Sequence, residues 1–355
     1  MNKLILLIKI LLGIILLALL YVGCVIAYAT MTDYKPAEKE TVALRGKNQQ
    51  TLPDDTLSFL TWNIGYCGLG KESDFFYDGG KTVVSPRQWV DKNLEGAKKI
   101  LAGAGKADFM LLQEVDINSK RSYYQNQTEA IAQTLPDYNT AIAVNYDVKF
   151  VPKPFTSPMG KAHGGLLSLS PYLSTENTRH QYPSSFPWPT QLFFLDRCFL
   201  AQKYPLANGK QLVVINTHNS AYDNTGKLKK AEMDYLKNYL SNEYAKGNYV
   251  VVGGDWNQCP PNFNGNAFIK QGMEPYDPSN IAPDFMPEGW LWAYDPAVAT
   301  NRSNLTAFNQ KTTSTTLIDF FLISPNIELI KVQCIDLQFE YSDHQPVLMQ
   351  VKFKK

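Results

Sequence analysis

An α/β layered domain preceded by one membrane-spanning helix is the architecture this sequence predicts, and three observations predict it. An apolar run near the N-terminus is long enough to cross a bilayer. Beyond it, short β-like runs mix with helical stretches through one continuous region, as expected of packed layers of sheet and helix. Several of the β-like runs then end in asparagine, aspartate, glutamate or histidine, so that a rigid scaffold can gather polar side chains at one crevice.

The N-terminal run comes first. After Asn2, Lys3 and Lys9 the chain is apolar without interruption from Ile10 to Ala29, enough at ~1.5 Å per residue to span a hydrocarbon core of ~30 Å. A cleaved signal peptide is the rival reading, although its apolar stretch is usually only ~7–15 residues and closes on small residues. Tyr21-Val22-Gly23-Cys24 partly resembles a lipoprotein box, but the tyrosine fits poorly and apolar sequence continues through Val25-Ile26-Ala27. The short basic tail places the N-terminus in the cytoplasm and the bulk of the chain outside, against the counter-signal of Lys35, Lys39, Arg45 and Lys47. The expected division is an anchor over residues 1–30, a polar linker over 31–56, and one domain over 57–355.

Within that domain, β-like runs are predicted at 57–62, 109–112, 166–169, 212–216, 249–252, 317–323 and 347–353, and helices at 88–102, 127–134 and 227–244. With 45% hydrophobic and 12% aromatic residues, the 355-residue chain can bury a large core. Its 34 basic residues barely exceed its 33 acidic ones, so it lacks the basic footprint of a polyanion-binding domain. Five scattered cysteines form no CxxC pair and no Cys/His zinc spacing; they permit disulfides without requiring them.

The chemistry lies at the strand ends. Glu114 follows the run Phe109-Met110-Leu111-Leu112, where a carboxylate emerging from a buried strand suits Mg²⁺, a hard ion that often takes one or two protein carboxylates. Asn63, after Leu60-Thr61-Trp62, is either a turn residue or an amide that orients a ligand. In Gly253-Gly254-Asp255-Trp256-Asn257 the glycines allow close backbone approach, and the aspartate and asparagine stand two positions apart. Asp255 can orient or deprotonate a nucleophile and Asn257 can donate to a phosphoryl oxygen; an Asx turn is the plainer reading. Asp319 sits in the apolar run Leu317-Ile318-Asp319-Phe320-Phe321 and needs a partner. His344, in Ser342-Asp343-His344, can supply one, because an Asp-to-His hydrogen bond fixes the tautomer and leaves the other ring nitrogen free to act as a base. His218 offers a second imidazole for a non-bridging phosphate oxygen.

Taken in order, Thr61-Trp62-Asn63-Ile64, Leu112-Gln113-Glu114-Val115, Asn216-Thr217-His218, Gly254-Asp255-Trp256-Asn257, Leu317-Ile318-Asp319 and Ser342-Asp343-His344-Gln345-Pro346-Val347 resemble the motif set of the endonuclease/exonuclease/phosphatase superfamily. Each motif is weak alone; six in order across the chain are specific. The resemblance implies a four-layer sandwich of two central mixed β-sheets flanked by helices, and a phosphoesterase using Mg²⁺, with Mn²⁺ as a substitute. It implies Asn63 and Glu114 near the metal, Asp255 and Asn257 at the nucleophile and phosphate, His218 on the phosphate, Asp319 with His344 as the acid/base couple, and Asp343 supporting either the metal site or neighbouring geometry. Arg121, His163, Tyr123 and Arg197 are candidates for a substrate headgroup, and 182–188 is either an aromatic lip or a packed loop. The near-neutral charge favours a lipid headgroup or small molecule over nucleic acid. An extracellular deoxyribonuclease-type nuclease and a non-catalytic, membrane-tethered binding module are the alternatives, and no protein partner is expected.

Overall fold

The computed structural model describes residues 3–46, 48–53, 56–223, 225–271, 273, 276 and 278–354. Asn2 and Lys47, which flank the apolar run and entered the orientation argument, lie outside them, as does the end of the expected linker at Asp54 and Asp55. The chain opens with α1 (Lys3–Met31), whose side chains are exposed almost throughout. The strands that follow are β1 (Lys39–Thr41), β2 (Leu57–Asn63), β3 (Phe109–Asp116), β4 (Asn139–Val151), β5 (Gly160–Ser170), β6 (Glu176–Gln181), β7 (Cys198–Pro205) and β8 (Gln211–His218). Then come β9 (Tyr249–Asp255), β10 (Leu291–Ala293), β11 (Asn301–Arg302), β12 (Thr315–Thr316), β13 (Asp319–Ile323), β14 (Ile327–Cys334) and β15 (Val347–Phe353). Three further helices are α2 (Arg87–Ala102), α3 (Gln127–Thr134) and α4 (Lys227–Ala245).

Two mixed sheets carry the domain, one ordered β1-β6-β7-β8-β9-β13-β10 and the other β14-β15-β2-β3-β5-β4. Parallel pairing occurs between β2 and β3 and between β8 and β9, one pair in each sheet. A parallel pair needs a crossover, and α2 and α4 supply them. The apolar residues of these strands explain the layering. Leu57, Phe59, Phe109, Leu111, Leu212, Val214, Tyr249 and Val251 recur at a spacing of two and form the core between the sheets. Their neighbours turn outward: Leu60, Trp62, Met110 and Leu112 meet Val90, Leu94, Ala97 and Leu101 of α2, while Val213, Ile215, Val250 and Val252 meet Met233, Leu236 and Leu240 of α4. The result is the helix–sheet–sheet–helix sandwich implied by the motifs.

The expected linker is the main correction. Residues 39–41 pair with 178–180 as the edge strand β1, Arg45 bridges Thr140, and Gln50 bridges Tyr172. Val42 and Leu44 pack on Ala141, Ala143, Leu166, Cys198 and Leu200. The segment thus runs along the edges of both sheets. An edge strand with one face in water reads as polar, which is why composition suggested a tether.

Candidate active site

The inner faces of the sheets change character toward one end of the sandwich. Following the two-residue spacing, β2 presents Leu57 and Phe59 and then Thr61 and Asn63; β8 presents Leu212 and Val214 and then Asn216 and His218; β9 ends in Asp255. The polar layer begins with Gln113, whose Nε2 donates to Thr61 Oγ1 at 3.2 Å and to Asn216 Oδ1 at 2.8 Å. One layer further out, register sets His218 beside Asp255 and Asp255 beside Asp319 on neighbouring strands. Because the parallel strands end together, Asn63, His218 and Asp255 converge at their carboxyl ends. Glycine is required at this junction: a Cβ on Gly254 would stand 2.0 Å from the carbonyl oxygen of Thr217.

Glu114 reaches the same place by a different device. The register of β3 against β5 slips between Leu112 and Val115, and Glu114 takes a φ of 53°, a conformation uncommon for a residue with a side chain and typical of functional bulges. Its carboxylate accepts from Asn63 Nδ2 at 3.1 Å, and the same amide donates to Asp255 Oδ2 at 3.0 Å. Asn63 Oδ1 accepts from Gly65 N–H at 2.9 Å. Turning the amide over would set its oxygen against two carboxylates, so this orientation is imposed. Asn63 therefore aligns Glu114 and Asp255, and its oxygen, which accepts one bond from Gly65 N–H, keeps a second lone pair.

His344 Nδ1 lies 2.8 Å from Asp319 Oδ2, the pair expected from sequence. Its Nε2 is 2.9 Å from Asn301 Nδ2 and 3.7 Å from Asp255 Oδ2. Tyr276 donates its hydroxyl to Asn301 Oδ1 at 2.6 Å, which turns the Asn301 amide hydrogens toward the imidazole and selects the Nδ1–H tautomer whenever the ring is neutral. Burial pulls the His344 pKa down, but Asp319, Asp255 and Asp343 outweigh it and hold it well above the ordinary range. His218 is the opposite case, driven well below that range by burial and then by Arg197, His344 and Arg121; its Nε2 is 3.4 Å from Asp255 Oδ2. Burial, with Asp319 adding to it, pushes Asp255 up to about 6 against the pull of His344.

Glu114, His218, Asp255, Asn301, Tyr276 and His344 line one cavity of about 300 Å³, which also receives Asp343, Asn257, Arg121, Arg197 and Lys229, with Asn63 and Asp319 directly behind its wall. Asp343 accepts from Asn304 Nδ2 at 2.7 Å. Asn257, at a φ of 49°, donates its amide to Asn219 O at 2.9 Å. Arg121 is spoken for: it makes a two-pronged bond to Asp116 at 3.1 and 2.9 Å, lies over the Tyr66 ring at 3.9 Å, and reaches to 3.8 Å from Glu114. It buttresses Glu114 more than it offers itself to a substrate. His163 is elsewhere, 3.5 Å from Asp147 and outside the cavity lining; its place on β5 beside β4 removes it from the site. Phe186 lines the cavity, Tyr182 is buried with its hydroxyl 2.7 Å from Thr217 Oγ1, and Trp188 is exposed, so 182–188 is part lip and part packed loop.

Sequence reasoning missed Asn301, Tyr276 and Lys229. Lys229 Nζ donates to Asn257 O at 3.0 Å, and among the described residues no carboxylate lies within 4.0 Å of the charged end of Lys229 or Arg197. Only the helical position of Lys229, at the start of α4 near the end of β8, carried a signal in the sequence.

Two donor sets are available to a cation. Asp255, Asp319 and His344 bring ligand atoms within 4.8 Å of one another, but the His344–Asp319 bond would have to break to release them. Glu114 and Asp343 share the cavity without a direct bond between them. Burial raises the Glu114 pKa, and the Asp343 charge raises it further against the pull of Arg121, so a hard cation between these oxygens would relieve a repulsion. The residues fit a divalent ion at Glu114 and Asp343.

The chain matches the Endonuclease/Exonuclease/phosphatase family over residues 60–344. Among solved structures, it is similar to an endonuclease/exonuclease/phosphatase from Beutenbergia cavernae (TM-score 0.58, 14% identity, covering 84% of this chain and 72% of that one). It is also similar to one from Bacteroides vulgatus (0.55, 15%, 84% and 100%) and to ANGEL2, a 2′,3′-cyclic phosphatase in complex with adenosine-2′,3′-vanadate (0.54, 14%, 89% and 99%). No curated protein matches the sequence at a significant level.

Proposed function

Because the chain belongs to the endonuclease/exonuclease/phosphatase family, whose members hydrolyse phosphoester bonds, we propose that it is a divalent-metal-dependent phosphoesterase acting on a lipid headgroup or a small phosphodiester or phosphomonoester. One observation carries the reading: Glu114, His218, Asp255 and His344, from separate strands and loops, converge on one cavity, with Asp319 hydrogen-bonded to His344 from behind its wall. Bound at Glu114 and Asp343, Mg²⁺ or Mn²⁺ would neutralise charge on the phosphate oxygens. Asn63 keeps the Glu114 carboxylate aimed. Asp319 holds the His344 ring through Nδ1; in its neutral form, which the raised pKa makes the high-pH form, the ring can take a proton from water at Nε2 once water replaces the Asn301 amide there. Asp255 aligns that water, and the neutral His218 donates from Nε2 to a phosphate oxygen. Arg197 and Lys229, lacking carboxylate partners, add positive charge where the phosphoryl group carries its negative charge.

A cavity of about 300 Å³ lies at the small end of ligand pockets, roughly 300–1,000 Å³. Its aromatic walls, including Tyr66, Tyr77, Phe186 and Tyr222, suit a compact group better than a duplex. The anchor over residues 1–30 and the domain beyond it belong to the same proposal, with α1 retained in the membrane and the domain outside. The test is turnover by the detergent-solubilised full chain against sphingomyelin, phosphoinositides, bis-p-nitrophenyl phosphate and DNA, with Mg²⁺, with chelator, and with His344→Ala. Metal-dependent turnover of a small or lipid phosphoester should fall by about 10²–10⁴ in the variant. DNA as the favoured substrate would establish the nuclease alternative, and absence of both turnover and metal binding would leave a binding module.

A further inference from the structure

The end of α1 is seated on the domain. Ala29 is buried, and Ala29, Thr32 and Asp33 share a crevice with Asp147, Val148, Lys149, Phe150 and Leu192. The point where the helix stops is therefore fixed against the far end of β4 and the turn Thr190–Phe193. Both pieces lead to exposed aromatic residues. β4 continues through the 152–159 connection, where Phe155 is 67% exposed, and the turn is preceded by Trp188, which is 60% exposed. From Lys149 to Lys161 the sequence contains no carboxylate; Lys149 is paired with Asp147 at 2.8 Å, while among the described residues Lys153 and Lys161 have no ion pair. Exposed rings beside lysines match a phospholipid interface, where the ring enters the headgroup boundary and the ammonium meets lipid phosphate.

The same region walls the catalytic cavity. Ser184, Ser185, Phe186, Phe194 and Leu195 line it, and they also line a neighbouring cavity of about 580 Å³ whose opposite side is formed by Asp33–Pro36 and Glu38, the residues that follow α1. One loop thus stands between the exit of the helix and the catalytic groups. We propose that the 152–159 tip and Trp188 rest on the leaflet from which α1 emerges, so that the cavity behind the 182–197 loop receives its phosphoester from the bilayer surface. The proposal rests on reading α1 as a retained anchor and the cavity as a phosphoesterase site.

The experiment separates these layers. The full chain, with Cys24→Ser and a spin label at Phe155→Cys, is placed in nanodiscs of phosphatidylcholine and phosphatidylserine; the other four cysteines are buried. Seating predicts that the label collides more with oxygen, which concentrates in the bilayer, than with a water-soluble nickel complex; the reverse order overturns the proposal, as does recovery of the chain in the soluble fraction. In parallel, Lys153→Glu combined with Trp188→Ala should lower headgroup release from phosphatidylcholine, sphingomyelin and phosphatidylserine vesicles by roughly fivefold and leave bis-p-nitrophenyl phosphate turnover unchanged. Equal loss on both substrates, or loss on neither, overturns delivery from the bilayer. A wild-type chain that neither cleaves these substrates nor binds Mg²⁺ removes the phosphoesterase reading, while the label still decides the seating.

Discussion

Asn63 and His218 show how much of the site depends on residues other than the acid/base pair. Asn63 holds two carboxylates with one amide, and removing such a supporting group typically costs about 10–100-fold in metal affinity or activity. Asn63→Ala should therefore raise the Mg²⁺ concentration needed for half-maximal activity and, because it leaves Gly65 N–H and two buried carboxylates without their partner, also lower the melting temperature; calorimetric Mg²⁺ titration checks the first and a thermal melt the second. His218 bears on pH. Its folded-state pKa is depressed by burial, Arg197, His344 and Arg121, so below the unfolded value of about 6.5 the unfolded chain binds a proton that the folded chain does not. Stability is fully present above that value and declines as acid is added. The raised Asp255 carboxylate acts in the opposite direction, so the test is the difference: below about pH 6.5 the wild type should lose more melting temperature per pH unit than His218→Gln, and parallel slopes would show that His218 is not responsible. Asn63, Glu114, His218, Asp255 and Asp319 stood out in the sequence because each ends or interrupts an apolar run, and His344 because it adjoins Asp343 shortly before the last strand. Asn301 and Tyr276 did not, because they sit where the sequence has no periodicity and acquire meaning only through the hydrogen bonds that reach His344.

At the scale of elements, legibility followed hydrophobic contrast. α3 falls at 127–134 and β15 at 347–353, as predicted, and α2 and α4 agree within a residue, because their apolar residues face a single core. β6, with the sequence Glu-Asn-Thr-Arg-His-Gln, gave no signal. It buries Asn177, Arg179 and His180, and Arg179 donates to Val144 O at 2.7 Å and Gln181 Oε1 at 2.6 Å, so polar bonding replaces apolar patterning. β14, an edge strand with much of its surface in water, was invisible for the related reason that an edge needs little apolar sequence. Arg302 ties two loops of the site together. Fully buried, it lies within hydrogen-bonding distance of the carbonyls of Leu69, Gly70 and Ser73 through Nη2 and of Ser303 and Thr306 through Nη1, while its backbone N–H donates to Asp343 O at 3.1 Å. No lysine reproduces that fan of donors. Arg302→Met strands buried carbonyls, each of which costs about 1–3 kcal/mol when left without a partner. The variant should lose roughly 3 kcal/mol or more in urea denaturation, and hydrogen exchange should quicken first around residues 64–73.

For the whole molecule, charge and the site's location pull together. The 34 basic and 33 acidic residues leave no long-range field to gather a polyanion, and the positive side chains at the cavity, Arg121, Arg197 and Lys229, are local. A protein that neutralises several phosphates of a duplex releases counterions, and its log affinity falls with log salt at a slope of about −0.9 per phosphate. One phosphoryl group held in a cavity gives a slope near −1 or shallower. The dependence of kcat/KM on NaCl therefore distinguishes a compact substrate from a polyanion on any substrate that turns over. Measured below KM at fixed Mg²⁺, raising the salt fourfold should reduce kcat/KM by no more than about fourfold for a compact substrate. A loss of about a hundredfold or more would mean that three or four phosphates are engaged at once, and the chain would then be acting on nucleic acid along a surface wider than its cavity.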